Sequence, residues 1–184
     1  MPATTACVTL REWDITDLPS LVRNAGNPRV AATMRDLFPS PYSEDDGRRF
    51  LAMAAARPSR NIFRAILVGD DVAGGIRIHP LEDVHRRTAE IGYWLAEPFW
   101  GRGVMTEAVR LILPLAFADS EILRIQAGIF ESNPASMRVL EKNGFTREAV
   151  HHNAITKNGV VMDEVMYARL RKNGGDQTGS TRLP

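Results

Sequence analysis

The run LAEPFWGRGVMT, from Leu95 to Thr106, constrains this 184-residue chain more than any other segment. Thr88 to Leu95 reads as a strand, and Pro98 to Gly103 is a loop with glycines at 101 and 103. From Val104, apolar residues recur at Ala108, Leu111, Ile112 and Leu115, the spacing of one helix face. A strand thus enters a short glycine loop and leaves it as a helix. Such a unit belongs to folds in which helices pack on a sheet. The loop's backbone N–H groups, backed by the positive end of the helix dipole, form an anion site suited to a pyrophosphate. Glycine keeps Cβ atoms away from the oxygens, and Arg102 adds charge. An ordinary β–α turn with a glycine kink has the same sequence signature.

Two common phosphate loops do not fit. Thr106 stands where a dinucleotide fingerprint needs its third glycine, and the loop follows four strands instead of the first, so NAD is not expected. A Walker loop needs Gly-Lys-Ser/Thr, which the chain lacks.

Around this unit the chain alternates strands and helices. Val8 to Trp13 reads as a first strand, followed by a helix capped by Asp14 or Thr16 and carrying Leu18, Leu21 and Val22. A second helical stretch surrounds Val30 to Met34, and Pro39 and Pro41 interrupt it. Ser43 with Asp46 forms a capping box that opens a helix through Ala56. Asn61 to Val68 and Val72 to His79 form a hairpin about Gly69-Asp70-Asp71. Pro114 is expected to kink the helix from Val104 or end it early. Ile122 to Ile129 is a fifth strand. Asn133-Pro134 opens another helix, which stops at Asn143-Gly144. Phe145 to Ala154 and Val160 to Leu170 make a final hairpin about Lys157-Asn158-Gly159. The fold class is mixed α/β. Residues 1–171 form one domain, and Lys172 to Pro184, polar and Gly-rich, read as a flexible tail.

Composition narrows the function. The net charge of +1 removes the electrostatic case for a dedicated nucleic-acid binder. No apolar run approaches the roughly 18 residues of a membrane span, and no signal peptide is visible at the N-terminus. Cys7 is the single cysteine, which rules out an intrachain disulfide or a multi-cysteine metal site and fits a cytoplasmic setting.

The second motif is NPASMRVLEKNGF, Asn133 to Phe145. Asn133 and Gly144 are helix caps, and Ser136 lies near the helix N-terminus, where its hydroxyl can reach a ligand on the sheet edge. Together with AEIGYWLAEPFWGRGVMTEAV (Ala89 to Val109), this motif resembles the GNAT superfamily of N-acetyltransferases. TLREWDITDLPSL and ILVGDDVAGGIRIH fit the RimJ/RimL-type branch, and the resemblance covers residues 7 to 170. The chain departs from the wider superfamily loop in having Pro98 where Gln or Arg is expected, a residue this branch often lacks.

The resemblance implies a mostly antiparallel central sheet with helices on both faces, its strands splayed at the acetyl-CoA site. It implies no metal. Gly101, Arg102, Gly103, Val104, Met105 and Thr106 would offer their backbone to the CoA pyrophosphate. Asn133, Ser136 and Leu95 would contact the pantetheine arm. The reaction would be attack of a neutral amine on the thioester, with the oxyanion held by backbone N–H groups. Glu90, on a strand face with Gly92 and Trp94, is the candidate base unless it pairs with a neighbouring arginine. Ser136 is the candidate acid or sulfur contact, with Tyr167 in reserve as acid. His79 and His85 flank the loop before the fourth strand, and His151-His152 point to opposite faces, which does not suit joint metal binding. Met34, Met53 and Met105 read as packing residues. The acceptor would be a protein N-terminus or a small amine. Its pocket would be built by the Asp14 to Ala56 helices, the Pro80 to Arg87 loop and the final hairpin. The acids Asp36, Glu44, Asp45, Asp46, Glu82 and Asp83 could draw a cationic acceptor or simply be solvated. The rival reading is a non-catalytic acyl-CoA sensor, and a homodimer is compatible with the fold.

Overall fold

Seven β-rich stretches join into one sheet in a computed structural model that describes residues 7–56 and 60–172. They are β1 (Val8–Arg11), β2 (Ile62–Val68), β3 (Asp71–Pro80), β4 (Thr88–Leu95), β5 (Arg124–Phe130), β6 (Thr146–Lys157) and β7 (Val160–Leu170). Their order is β1-β2-β3-β4-β5-β7-β6. Every neighbouring pair is antiparallel except β4–β5, which is parallel. This is the mixed, mostly antiparallel sheet expected from the sequence.

Helices cover both faces. On one, α4 (Val104–Ala118) and α5 (Pro134–Lys142) pack against Ile66, Ile76, Ile91, Ile125 and Val165. Ile112 and Leu140 are fully buried there, each contributing about 1.5–3 kcal/mol by burial. On the other face, α1 (Leu18–Ala25), α2 (Pro28–Ala31) and α3 (Glu44–Ala55) gather Leu18, Leu21, Val30, Tyr42 and Leu51 around Trp94 of β4. The capping box at Ser43 and Asp46 is present: the Asp46 amide donates to the Ser43 hydroxyl, and the Asp46 carboxylate accepts from the Ser43 amide.

Several expectations need correction. β1 stops at Arg11, because Asp14 turns the chain into a short 3-10 turn, Ile15–Asp17, by accepting the Thr16 amide. α2 opens at Pro28, where Asn27 accepts the Arg29 amide, and does not span Val30 to Met34. α4 runs through Pro114 to Ala118. Proline removes the N–H that would have served the Arg110 carbonyl, but Arg110 and Pro114 both lie on the solvent side, where water can serve that carbonyl instead. The buried face of α4 is also shifted. Met105, Val109, Leu113 and Ala116 are buried beside Ala108 and Ile112, whereas Leu115 is 45% exposed. Met53 is likewise exposed. β5 begins at Arg124, and β6 runs on to Lys157. The expected tail lies outside the described residues beyond Lys172.

Candidate active site

The parallel pair is short. β4 and β5 are in register at Thr88–Arg124, Ala89–Ile125 and Glu90–Gln126, and then separate. Each keeps its outer neighbour beyond that point: β4 stays on β3 to Leu95, and β5 stays on β7 to Phe130. The two facing edges therefore present backbone N–H and C=O groups with no ladder between them, which an extended ligand can satisfy as a strand would. The N-terminus of α5 is joined to this gap. Tyr93 of β4 bonds its hydroxyl to Ser136 Oγ at 2.7 Å, and Ser136 is buried. Burial pushes the Tyr93 phenol up, with the Ser136 bond opposing, so it stays protonated at neutral pH. At the far end, Trp100 Nε1 donates to the Leu95 carbonyl at 2.7 Å, so one of Leu95's two backbone groups is already engaged.

The glycine loop borders the same gap. Gly101 and Gly103 have φ of 72° and 76°, in the left-handed region where a side chain is strained. Gly103 is the N-cap of α4 and has no capping side chain, so the first-turn N–H groups of Val104, Met105 and Thr106 are left without a side-chain acceptor. The α5 terminus is different: Asn133 Oδ1 accepts the Ser136 amide at 3.1 Å. Asn143 ties the two helices together, its Nδ2 donating to the carbonyls of Thr106 and Val139. The Arg102 guanidinium lies 5.9 Å from the Phe99 ring centroid.

One cleft of about 1050 Å³ runs from this loop to the α1–α3 segment. It brings together Glu90, Leu95, Gly101, Gly103, Val104, Met105, Thr106, Asn133 and Ser136, but not Arg102. Glu90 faces Arg35, with Nη2 to Oε2 at 3.9 Å. Tyr93, Arg35 and Arg77 also line the cleft and were missed in the sequence. Tyr93 was legible from strand alternation, being two residues from Leu95 on the face that α4 and α5 cover. A second carboxylate, Glu164 of β7, lies over Gly128 of β5 and meets His151 Nδ1 at 3.3 Å. Tyr42, also on the cleft wall, has its phenol pushed up to about 12 by burial first and by Asp46 second.

Other expected residues lie elsewhere. Among the described residues, neither the Pro80 to Arg87 loop nor the final hairpin lines the cleft. The Pro80 to Arg87 loop adjoins the start of β4, away from the end at which β4 and β5 part, whereas β7 runs beside that end without lining the cleft, with Glu164 opposite Phe130. His79 bonds Asn61 at 2.6 Å, and His152 bonds Asp163 at 2.8 Å. Tyr167 is buried and donates to Glu141 of α5 at 2.7 Å, on the far face of the sheet. Of the acids singled out, only Asp46 lines the cleft, and Arg49 holds it. Asp36 is bound by the buried Lys157 at 2.6 Å. No cluster of three or more metal-ligating side chains occurs among the described residues, and none of their helices is long and apolar enough to cross a membrane.

Residues 8–146 match the family described as acetyltransferase (GNAT) domain. This chain belongs to the GNAT acetyltransferase family. Relatives place the GNAT chain in the RimJ/RimL-like branch. It is 35% identical over 149 residues to a Bacillus subtilis (strain 168) protein described as a putative ribosomal N-acetyltransferase, YdaF, covering 80% of this chain and 75% of that one. It is 45% identical over 84 residues to the probable N-acetyltransferase YjcK of the same organism, and there spans about half of either protein, 46% of each. Among solved structures, RimL, a ribosomal L7/L12 alpha-N-protein acetyltransferase in complex with coenzyme A, superposes with a TM-score of 0.79 at 26% identity. That match covers 91% of this chain and 95% of RimL.

Proposed function

We propose that this GNAT protein moves the acetyl group of acetyl-CoA to a primary amine, on a protein N-terminus or a small molecule, while both substrates are bound together. The observation that carries this reading is the gap between β4 and β5 opening directly beside a glycine-capped helix N-terminus. The residues fit the cosubstrate. Free first-turn amides and two left-handed glycines suit a diphosphate, and an unpaired strand edge suits an amide-bearing arm.

Acetyl-CoA supplies a thioester that a neutral amine can cleave. In this reading the Gly101–Thr106 backbone holds the diphosphate, and Asn133 and the Leu95 edge hold the arm. The amine nitrogen forms a bond to the acetyl carbon as the carbon–sulfur bond breaks. The Glu90 carboxylate takes the ammonium proton, directly or through water. After attack the nitrogen carries a second surplus proton, and the Ser136 hydroxyl, backed by Tyr93, relays it to the departing thiolate, so that the amide and the thiol leave neutral and the serine is unchanged. The open cleft favours the enzyme over a sensor, whose acceptor side would be filled by side chains.

Calorimetric titration with acetyl-CoA, CoA and NAD tests the binding half. Saturable binding of acetyl-CoA and CoA without NAD is expected, and no acetyl-CoA binding below millimolar concentration overturns the assignment. Thiol release with a panel of amines then tests turnover; binding with no turnover on any amine supports the sensor.

A further inference from the structure

Within amine acetylation as proposed above, the cleft wall facing α1–α3 also carries the information that selects the acceptor. Gly92 stands two residues past Glu90, and Gly128 two past Gln126, just where β4 and β5 part. Neither has a side chain to project from the sheet, and the outer neighbouring strand lays a charged group over each. Arg77 of β3, in register with Gly92, runs along it so closely that a Cβ there would meet its Nε at 3.2 Å. Glu164 of β7 lies over Gly128 in the same way. The mouth of the gap is therefore flanked by a guanidinium on the β4 side and a carboxylate on the β5 side.

The two charges differ in how they are satisfied. Glu164 has His151 at 3.3 Å. Arg77 has no hydrogen-bond or ion-pair partner among the described residues, and the charges that act on it are Arg35 and Glu90. Arg35 reaches Glu90 only at 3.9 Å. Two arginines thus share one carboxylate, which leaves a surplus positive charge on a solvent-accessible part of the cleft wall. Desolvation first, then the charge of Arg35, push the Arg77 guanidinium below its ordinary value, while Glu90 opposes. An incoming anion would relieve this arrangement, and an incoming polycation would worsen it.

We propose that Arg77, with Arg35 beside it, binds a carboxylate of the acceptor, so that the substrates are primary amines carrying a carboxylate close to the amine. The planar fork of a guanidinium matches a carboxylate in two parallel hydrogen bonds. The ammonium end of such an acceptor would face the carboxylates Glu90 and Glu164. The carboxylate can come from a free amino acid or from an acidic side chain next to a peptide N-terminus.

Matched acceptor pairs test this on the full chain with acetyl-CoA: serine against serinamide, and a Ser-Asp tetrapeptide amide against its Ser-Asn counterpart. The carboxylate-bearing member of at least one pair is expected to have kcat/KM about 10- to 100-fold higher, and the pair that shows it identifies the source. Arg77→Gln should bring that ratio close to one, and Arg77→Lys should keep part of it. A merely structural role would lower both members alike and leave the ratio unchanged. Calorimetric affinity for acetyl-CoA in each variant reports an intact fold. Equal kcat/KM within both pairs for the native chain, or a ratio that Arg77→Gln leaves untouched, overturns the proposal while acetyl transfer stands. Failure to bind acetyl-CoA, or to release thiol with any amine including spermidine, overturns the acetyltransferase reading and this proposal with it.

Discussion

The two ends of the cleft are built by different means. At the loop end, the groups on offer are backbone amides, set by the left-handed glycines 101 and 103 and by the start of α4, all within a few residues of sequence. At the α1–α3 end, they are side chains of Arg35, Arg77 and Glu90, drawn from three separate segments, with Arg77 and Glu90 placed by strand register. The first end can be kept while the second changes. A cosubstrate that never varies suits the backbone, and an acceptor that differs between relatives suits exchangeable side chains.

The largest effect expected on this division is at Glu90. If its carboxylate is the base, Glu90→Gln should lower kcat about 100-fold or more, while Glu164→Gln has a much smaller effect. The comparison breaks if the two exchange places, and an unchanged kcat removes Glu90 from the role. Next comes Gly103→Val. A β-branched side chain at φ 76° costs about 1–2 kcal/mol, and the displaced amides should weaken acetyl-CoA binding about tenfold or more by calorimetry. The acceptor ratio should stay as it was; a change in that ratio would show that the two ends are not separable.

Tyr93→Phe is expected to act on both ends. It removes the partner of a buried serine hydroxyl, and urea unfolding should show a loss of about 1–3 kcal/mol. The smallest effect lies in the two capping carboxylates. Asp46 is held below the ordinary carboxylate value of 3.8, first by the Ser43 hydroxyl and then by its amide, and Asp14 similarly by Thr16. A carboxylate with a depressed folded value stabilises the fold above the unfolded value and loses that contribution as pH falls through the folded one. The urea midpoint should therefore hold down to about pH 4 and decline below 3.8. Ser43→Ala should flatten that decline.

Legibility in the sequence follows the same division. β4, the glycine loop and α5 were readable because propensity, capping residues and periodicity act over a few positions, and the cleft assembles nearly all the residues assigned to them. Arg77 was not readable, since its importance depends on sitting opposite Gly92, a fact of pairing between strands. The Pro80 to Arg87 loop precedes β4 in the chain, but it adjoins the start of that strand and the gap opens towards its end. Pro114 shows that a local rule yields when the carbonyl it orphans faces water.

The bond from Tyr93 to Ser136 has a consequence for kinetics. It crosses from β4 to α5 within the protein itself, so the N-terminus of α5 is held against β4 before any ligand arrives. The entropy of ordering this wall of the gap falls on folding, not on association. Entry of an extended ligand should then follow a single concentration-dependent step limited by encounter, with no slow isomerisation after it. Stopped-flow traces that stay single-exponential as acetyl-CoA is raised, with a rate that climbs without a plateau, are what such a rigid wedge requires.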